Sequence, residues 1–206
     1  GVARRIGGSE QVSRADGSSI DLSGEWSMID LYDSVSAAVG VDISPQTPMS
    51  ELETLCKQVE ISVAPTWVAG KMVEELFEHH VIPSLTTPTF VMDYPVDTSP
   101  LVRAHRSKLG VVEKWDLYVG GVEQATGYSE LVDPVIQRDR LTEQAGLAAR
   151  GDDEAMSVDE DFLRALEHGM PPCGGVGLGI DRLLMNLTGH GIRETILFPL
   201  VKPERK

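Results

Sequence analysis

The chain has 206 residues, with 18 lysines and arginines against 32 aspartates and glutamates and a formal net charge of -14. That balance argues against a broad nucleic-acid face, since such faces are basic and bind by releasing counterions from phosphates, but it leaves room for a cationic small substrate. The length suits one sizeable domain that buries its own core. No apolar run reaches the roughly 20 residues of a membrane-spanning helix, and residues 1–10 lack the apolar segment of a secretory signal, so no direct membrane contact is expected. Cys56 and Cys173 are far apart and in no metal-binding spacing, which fits a reducing, cytoplasmic compartment.

Residues 1–19 are polar, and Ala15-Asp16-Gly17-Ser18 reads as a hairpin turn between short strands. Arg4 and Arg5 form a solvated pair or a phosphate contact. From Trp26 the spacing of Leu31, Val35, Ala38 and Val39 predicts a helix, ended by Gly40 and capped by Asp30 or Ser27. Residues 44–83 read as a helical insertion. It comprises a turn at Pro45 and Pro48, a short helix over 49–59, and a second helix in which Trp67, Met72, Val73, Leu76, Phe77 and Val81 recur at helical spacing up to Pro83. Glu74, Glu75 and Glu78 then face solvent. His79 and His80 are adjacent, about 100° apart on a helix, and make a poor metal pair. Thr89 to Tyr94, bounded by Pro88 and Pro95, reads as a strand. Ser99-Pro100-Leu101, Arg103, His105 and Arg106 follow, and His105 alone reads as an ordinary surface histidine.

Residues 111–126 hold two alternating runs around Gly120-Gly121, a two-residue hairpin signal. That turn pairs Val119 with Val122 and Tyr118 with Glu123. It places Asp116, Tyr118, Glu123 and Ala125 on one face and Trp115, Leu117 and Val119 on the other, apolar face. Two carboxylates on one face repel unless a cation joins them, so the pair suits either a Mg²⁺ ion carrying phosphate oxygens or an exposed acidic face. Glu123 and Glu130 lie seven residues apart, and an unbroken strand turns them to opposite faces. If both serve one cleft, Gly127 is expected to mark a bulge or twist. After Asp133-Pro134 a helix is predicted over 135–150 with Ile136, Leu141, Ala145 and Ala148 inward. A solvated acidic turn over 151–154 follows, then a helix over 161–168 capped by Ser157 or Asp159 and closed by Gly169 and Pro171.

In Gly174-Gly175-Val176-Gly177-Leu178-Gly179, glycines at alternate positions strip one row of side chains from a strand, so a flat group can lie against the backbone. A helix is predicted next, carrying Asp181 and Arg182 in its first turn, Leu183, Leu184 and Leu187 at helical spacing, and Gly189 as its stop. A glycine-rich turn closing on a surface helix is the plainer alternative. The G-x-G-x-G run lacks the spacing of a dinucleotide fingerprint.

Gly174 to Met185, together with Thr188-Gly189, Ile192-Arg193-Glu194 and Phe198-Pro199, closely resembles the third signature motif of class II aminoacyl-tRNA synthetases, here at about 174–199. In detail it is similar to the lysyl branch of actinobacterial type, including the synthetase module of bifunctional lysyl-phosphatidylglycerol synthesis proteins. The resemblance covers nearly the whole chain and is strongest over 88–203. It implies an α+β fold, an antiparallel sheet with flanking helices, of which residues 1–206 are the C-terminal portion of the catalytic domain. It implies that Asp116 and Glu123 hold Mg²⁺ with ATP, Asp116 being a shorter arm than the family's commoner Glu. It also implies that Glu130 pairs with the ε-ammonium of lysine, that Tyr128 walls the aliphatic stem, and that Thr126 occupies a position usually held by Asn. Arg182, the sole catalytic assignment, is expected at ATP with Gly175, Gly177, Gly179 and Glu123, stacked on adenine or holding a terminal phosphate.

The implied partners are lysine, ATP, tRNA(Lys) through the longer protein, and further copies of the chain in a homo-oligomer. The family's first two motifs, including the arginine that grips the α-phosphate, and its anticodon-binding barrel do not precede Asp21. The chain alone is therefore expected to bind nucleotide weakly, to support no lysine-dependent pyrophosphate exchange, and to self-associate along an exposed sheet edge. A non-catalytic lysine- or nucleotide-binding module is the competing reading.

Overall fold

Apolar side chains of the chain gather on the two faces of one five-stranded sheet. The computed structural model describes residues 1–14, 17–152 and 155–198. A short helix, α1 (Val2–Gly7), not expected from the sequence, leads into β1 (Gln11–Ser13) and β2 (Ser19–Asp21), which pair antiparallel with Val12 opposite Ile20. The strands thus form the predicted hairpin, while Ala15 and Asp16 of its turn lie outside the described residues. The helix expected from Trp26 is divided: β3 (Ser27–Asp30) comes first and α2 (Leu31–Val39) starts only at Leu31. The divider is Asp30, whose Oδ1 accepts from the backbone N–H groups of Tyr32 at 2.9 Å and Asp33 at 3.2 Å and so fixes the helix start.

The helical segment expected at 44–83 forms α3 (Met49–Gln58) and α4 (Ala69–His80). Trp67 lies before α4 and packs on the core from the preceding loop. Glu74, expected in solvent, is instead half-buried and accepts from Thr98 Oγ1 at 2.6 Å. Glu75 is half-buried as well and pairs with Lys71 at 2.9 Å, so only Glu78 of the three is exposed. The chain then returns as β4 (Thr89–Met92), parallel to β3, because three helices intervene and allow a crossover where a hairpin cannot. β5 (Lys114–Val119), β6 (Val122–Ser129) and, after α5 (Pro134–Ala148) and α6 (Glu160–Glu167), β7 (Gly174–Leu178) add antiparallel neighbours. The strand order is β3-β4-β5-β6-β7. α7 (Ile180–Thr188) and α8 (Ile192–Thr195) complete the described elements.

One face, with Val91 and Tyr118 at its centre and Tyr128 at its margin, belongs to the larger core with Leu31, Val35, Leu52, Met72 and Leu76 of the helices. The other face carries Leu117, Val119 and Ala125 with Phe90 and Trp115 beside them, and Ile20 of the hairpin joins it. α5 turns only part of its predicted stripe inward: Leu141 is buried and Ala145 half-buried as expected, but Ile136 is 44% exposed and Ala148 is exposed, while Gln137 and Leu147 are buried in their place. Gln137 tolerates burial because its Nε2 donates to Pro100 O at 3.0 Å. Asp133 and Asp159 cap α5 and α6 through the same kind of side-chain acceptor bond as Asp30. Of the acidic turn at 151–154, residues 153 and 154 lie outside the described residues.

Candidate active site

Gly120 and Gly121 both have positive φ, 60° and 76°, the backbone that a two-residue turn needs. Val119 therefore pairs with Val122 and Tyr118 with Glu123, as expected, but the register then slips: Leu117 faces Ala125 and Asp116 faces Thr126. The extra residue on β6 is Gln124. Ala125 consequently joins Leu117 on the apolar face and not Asp116, which corrects the expected alternation. Beyond the slip, Thr126, Tyr128 and Glu130 alternate on the face of Asp116, Tyr118 and Glu123. Glu123 and Glu130 do share a face, through a bulge at Gln124, ahead of the expected Gly127. Gly127 lies in regular register opposite Trp115, and a Cβ there would collide with the indole ring.

Asp116 is buried. Its Oδ2 pairs with Lys114 Nζ at 3.0 Å, and the same ammonium sits 3.9 Å from the centre of the Tyr94 ring. Its Oδ1, the Tyr94 hydroxyl and Thr126 Oγ1 are buried polar atoms without a hydrogen-bond partner among the described residues. Burial first, and then the Asp116 charge, drive the Tyr94 hydroxyl far above its ordinary value. Asp116 Oδ1 is thus a desolvated acceptor with a free lone pair, which is the kind of group a hard cation satisfies. Glu123 lies on the same face and is more open; its carboxylate pairs with Arg182 at 3.3 Å while Arg182 Nη1 donates to Glu123 O at 2.7 Å. By chemistry and face these two carboxylates suit Mg²⁺. Among the described residues no group of three or more His, Cys, Asp or Glu could hold a metal, and His79 and His80 merely stack edge to face at 4.7 Å.

Glu130 and Tyr128 lie next to β7. Glu130 has no ion-pair partner among the described residues, and burial holds its carboxyl above the ordinary value. Tyr128 is raised too, by burial first and then by the Glu130 charge. A Cβ at Gly175 would collide with Glu130 Oε1, so the missing side chain is what admits this carboxylate beside the glycine strand. Tyr128, Gly174 and Gly175 border a cleft of about 530 Å³ whose far wall includes His105, Arg106 and Lys114. Glu123, Thr126, Gly177, Gly179 and Arg182 border a second, adjacent along β6, of about 390 Å³. Of the predicted residues, Tyr128 and Gly175 thus border one cleft and Glu123, Thr126, Gly177, Gly179 and Arg182 the other, whereas Asp116 and Glu130 line neither.

Four contributors were not anticipated. Lys114 pairs with Asp116 and sits over the Tyr94 ring, and the alternation of Lys114 with Asp116 was a usable signal for the first. Gln124 and Asn186 are buried polar residues joined by an Asn186 Nδ2 to Gln124 Oε1 bond at 2.9 Å, for which no local signal exists. His105 departs from a plain surface histidine: its Nδ1 accepts from Lys108 N at 3.0 Å and Ser107 N at 3.1 Å, and its Nε2 lies 3.7 Å from Asp93. Asp93 in turn meets Lys108, which also bonds Asp30 at 2.8 Å.

The layout, a mostly antiparallel sheet with carboxylates on its central hairpin and a glycine strand feeding a helix headed by Arg182, defines a synthetase-type α+β catalytic scaffold. The family model for tRNA synthetases class II (D, K and N) matches residues 7–202, and the chain belongs to that family. Lysine--tRNA ligase of Kineococcus radiotolerans is 64% identical over 95% of the chain, and that of Mycobacterium tuberculosis 54% identical over 98%. The lysylphosphatidylglycerol biosynthesis bifunctional protein LysX of Nocardia farcinica is 55% identical over 89%. The chain spans 39% and 41% of the two ligases and 16% of LysX. No helix among the described residues is long and apolar enough to cross a membrane.

Proposed function

We propose that the chain supplies the lysine pocket and part of the ATP site of a lysine--tRNA ligase that forms lysyl-adenylate and passes the lysyl group to tRNA(Lys). The observation that carries this reading is Glu130: a carboxylate without a cationic partner among the described residues, partly desolvated, beside an aromatic wall and a glycine that makes room for it. An alkylammonium satisfies it, whereas an uncharged side chain leaves it unpaired. Tyr128 lines the aliphatic stem. Thr126, with its unpartnered hydroxyl, faces the neighbouring cleft where the reacting groups would meet.

In adenylate formation a lysine carboxylate oxygen bonds to the α-phosphorus of ATP, the bond to the bridging oxygen breaks, and pyrophosphate leaves. The chain's part is positioning and charge balance. Arg182 leaves its pairing with Glu123 for a phosphate or the adenine face, and Glu123 is thereby freed. Mg²⁺, held by Glu123 and Asp116, would neutralise phosphate charge. Gly177 and Gly179 keep the strand bare so that the nucleotide approaches the backbone. Contacts with tRNA are assigned to other parts of a longer protein, in keeping with the net charge of -14, and homo-oligomerisation and a cytoplasmic setting go with the same reading. The LysX relative supports a second destination, lysyl-tRNA feeding lysyl-phosphatidylglycerol synthesis, with the same activation site.

The test is lysine-dependent exchange of pyrophosphate into ATP by a protein of the relatives' full length carrying this segment, against the 206-residue chain alone. Exchange by the long protein and none by the chain is expected. Absence of lysine dependence in the long protein would favour the non-catalytic binding module, and brisk exchange by the chain alone would show that no further segment is needed.

A further inference from the structure

We infer that Gln124 is a positioning residue for the nucleotide side of the site, clasping the start of α7 so that Arg182 points into the cleft. The inference rests on the reading of Arg182 as an ATP contact. Gln124 is the extra residue of the β6 bulge and is 4% exposed, unusual for a glutamine in a strand. Both ends of the residue hold Gly179, the residue before α7. Its backbone O accepts from Gly179 N at 3.0 Å, and its side-chain Nε2 donates to Gly179 O at 2.9 Å. Its remaining polar atom, Oε1, accepts from Asn186 Nδ2 at 2.9 Å, two turns along the same helix.

The helix is therefore gripped at its start and in its last turn by one side chain. Asn186 is the buried residue of α7, which otherwise shows a partly open apolar face. Its Oδ1 accepts from Arg14 Nη2 at 3.3 Å, and Arg14 Nη2 also lies 3.4 Å from Gly120 O at the hairpin turn. The network thus ties the bulge, the hairpin turn and the N-terminal strands to one helix. Arg182 lies in the first turn of that helix and donates to the O atom of Glu123, the residue before Gln124. A bulge that merely re-registered β6 would not need a buried amide with every polar atom paired. Such a fully satisfied network specifies one arrangement, and a shift of about 1 Å at a charge-positioning group can cost up to 10²-fold in rate.

The experiment compares ATP and lysine KM in pyrophosphate exchange by the full-length protein, for Gln124→Met, Asn186→Leu, the double variant and Arg182→Ala. Methionine keeps the length of the side chain and removes its hydrogen bonds. A roughly tenfold rise in ATP KM is expected for each of the two single network variants, from the loss of about one to two hydrogen bonds, with lysine KM within about twofold. The double variant should add little to either, since the two share one bond. Equal rises in ATP and lysine KM, or no change in either, would overturn the inference; if Gln124→Met does not fold, Asn186→Leu decides alone. An Arg182→Ala variant with unaltered ATP KM would remove the reading of Arg182 and the inference with it. A defect for Arg182→Ala without one for Gln124→Met would remove the inference alone.

Discussion

Between Lys114 and Ser129 the site is held by packing, and between Gly174 and Thr188 it is held by hydrogen bonds. In the first region Leu117, Tyr118, Val119 and Ala125 are buried on alternate faces, so each face of the hairpin is anchored in a different apolar cluster. In the second, Val176 is 73% and Leu178 49% exposed, and the residue that α7 buries is the polar Asn186. A packed strand pair resists displacement in every direction, because its side chains have no free volume to move into. A helix clasped through Gly179 and Asn186 is directional instead: it keeps one orientation while its bonds last. Tyr128 and Glu130, proposed to face lysine, end the packed strand pair, and Arg182, proposed to face the nucleotide, rides on the clasped helix. On that proposal amino-acid choice is built on the stiffer part of the scaffold.

The contrast breaks most directly under truncation of one leucine from the core that anchors the first region and one from the second region. Leu76→Ala, in the fully buried part of α4 that packs with Tyr118 in one core, should lower the unfolding free energy of the chain by about 2–5 kcal/mol. Leu178→Ala on β7 should change it by no more than about 0.5 kcal/mol. Urea denaturation followed by circular dichroism measures both, and comparable losses would mean that β7 is packed after all.

Replacing Glu130 with Gln sharpens the functional half of the contrast. The variant keeps shape and removes the charge, so lysine activation should fall by roughly 10- to 100-fold, the equivalent of one charge-assisted hydrogen bond of about 1.5–3 kcal/mol. ATP KM should not follow, because Arg182 and Glu123 border a different cleft. Lysine activation equal to the parent's would end the pairing of Glu130 with the ammonium.

Glycine substitutions probe how close the two regions stand. At Gly175 an added Cβ strikes Glu130 Oε1, whereas at Gly177 it meets Thr126 Cγ2 at 3.4 Å, an ordinary contact. Gly175→Ala should therefore raise lysine KM by roughly tenfold, as expected for a displaced charged partner, and Gly177→Ala should leave it unchanged. The reverse order would place the lysine ammonium on the other side of Thr126.

These residues also show how far the sequence alone could be followed. Turn and cap chemistry is local, so the Gly120-Gly121 hairpin, the Asp30 and Asp159 caps and the Gly189 stop were all readable, as were β7 and α7 themselves. The glycine strand and the helix that follows it carried the family resemblance. The bulge was readable only as a need. Glu123 and Glu130 had to share a face, but its position was misjudged at Gly127, because Val122 to Thr126 alternates without any local break. The bulge is satisfied instead by Gly179 and Asn186, distant in sequence, and no pattern within β6 announces them. Ile136 and Ala148 failed for a related reason: α5 presents a polar residue, Gln137, to the interior in their place, held there through its Nε2 bond to Pro100 O.

The smallest expected effect concerns Glu74, where the packed region contains a carboxylate that the sequence assigned to solvent. Burial raises its carboxyl above the ordinary 4.5, opposed by the Thr98 hydrogen bond and by the Lys114 and Lys71 charges. The folded chain then holds this proton more tightly than the unfolded one. Stability contributed by the neutral form is present below about 4.5 and is lost as pH rises from there through the raised folded value. Glu74→Gln keeps an acceptor for Thr98 Oγ1 and never ionises. Across that window its stability should decline less steeply with pH than the parent's, by an amount several-fold below the Leu76→Ala loss. Parallel pH–stability curves for the two proteins would show that Glu74 is solvated as fully as the exposed Glu78, and that this stretch of α4 belongs with the open region instead of the packed one.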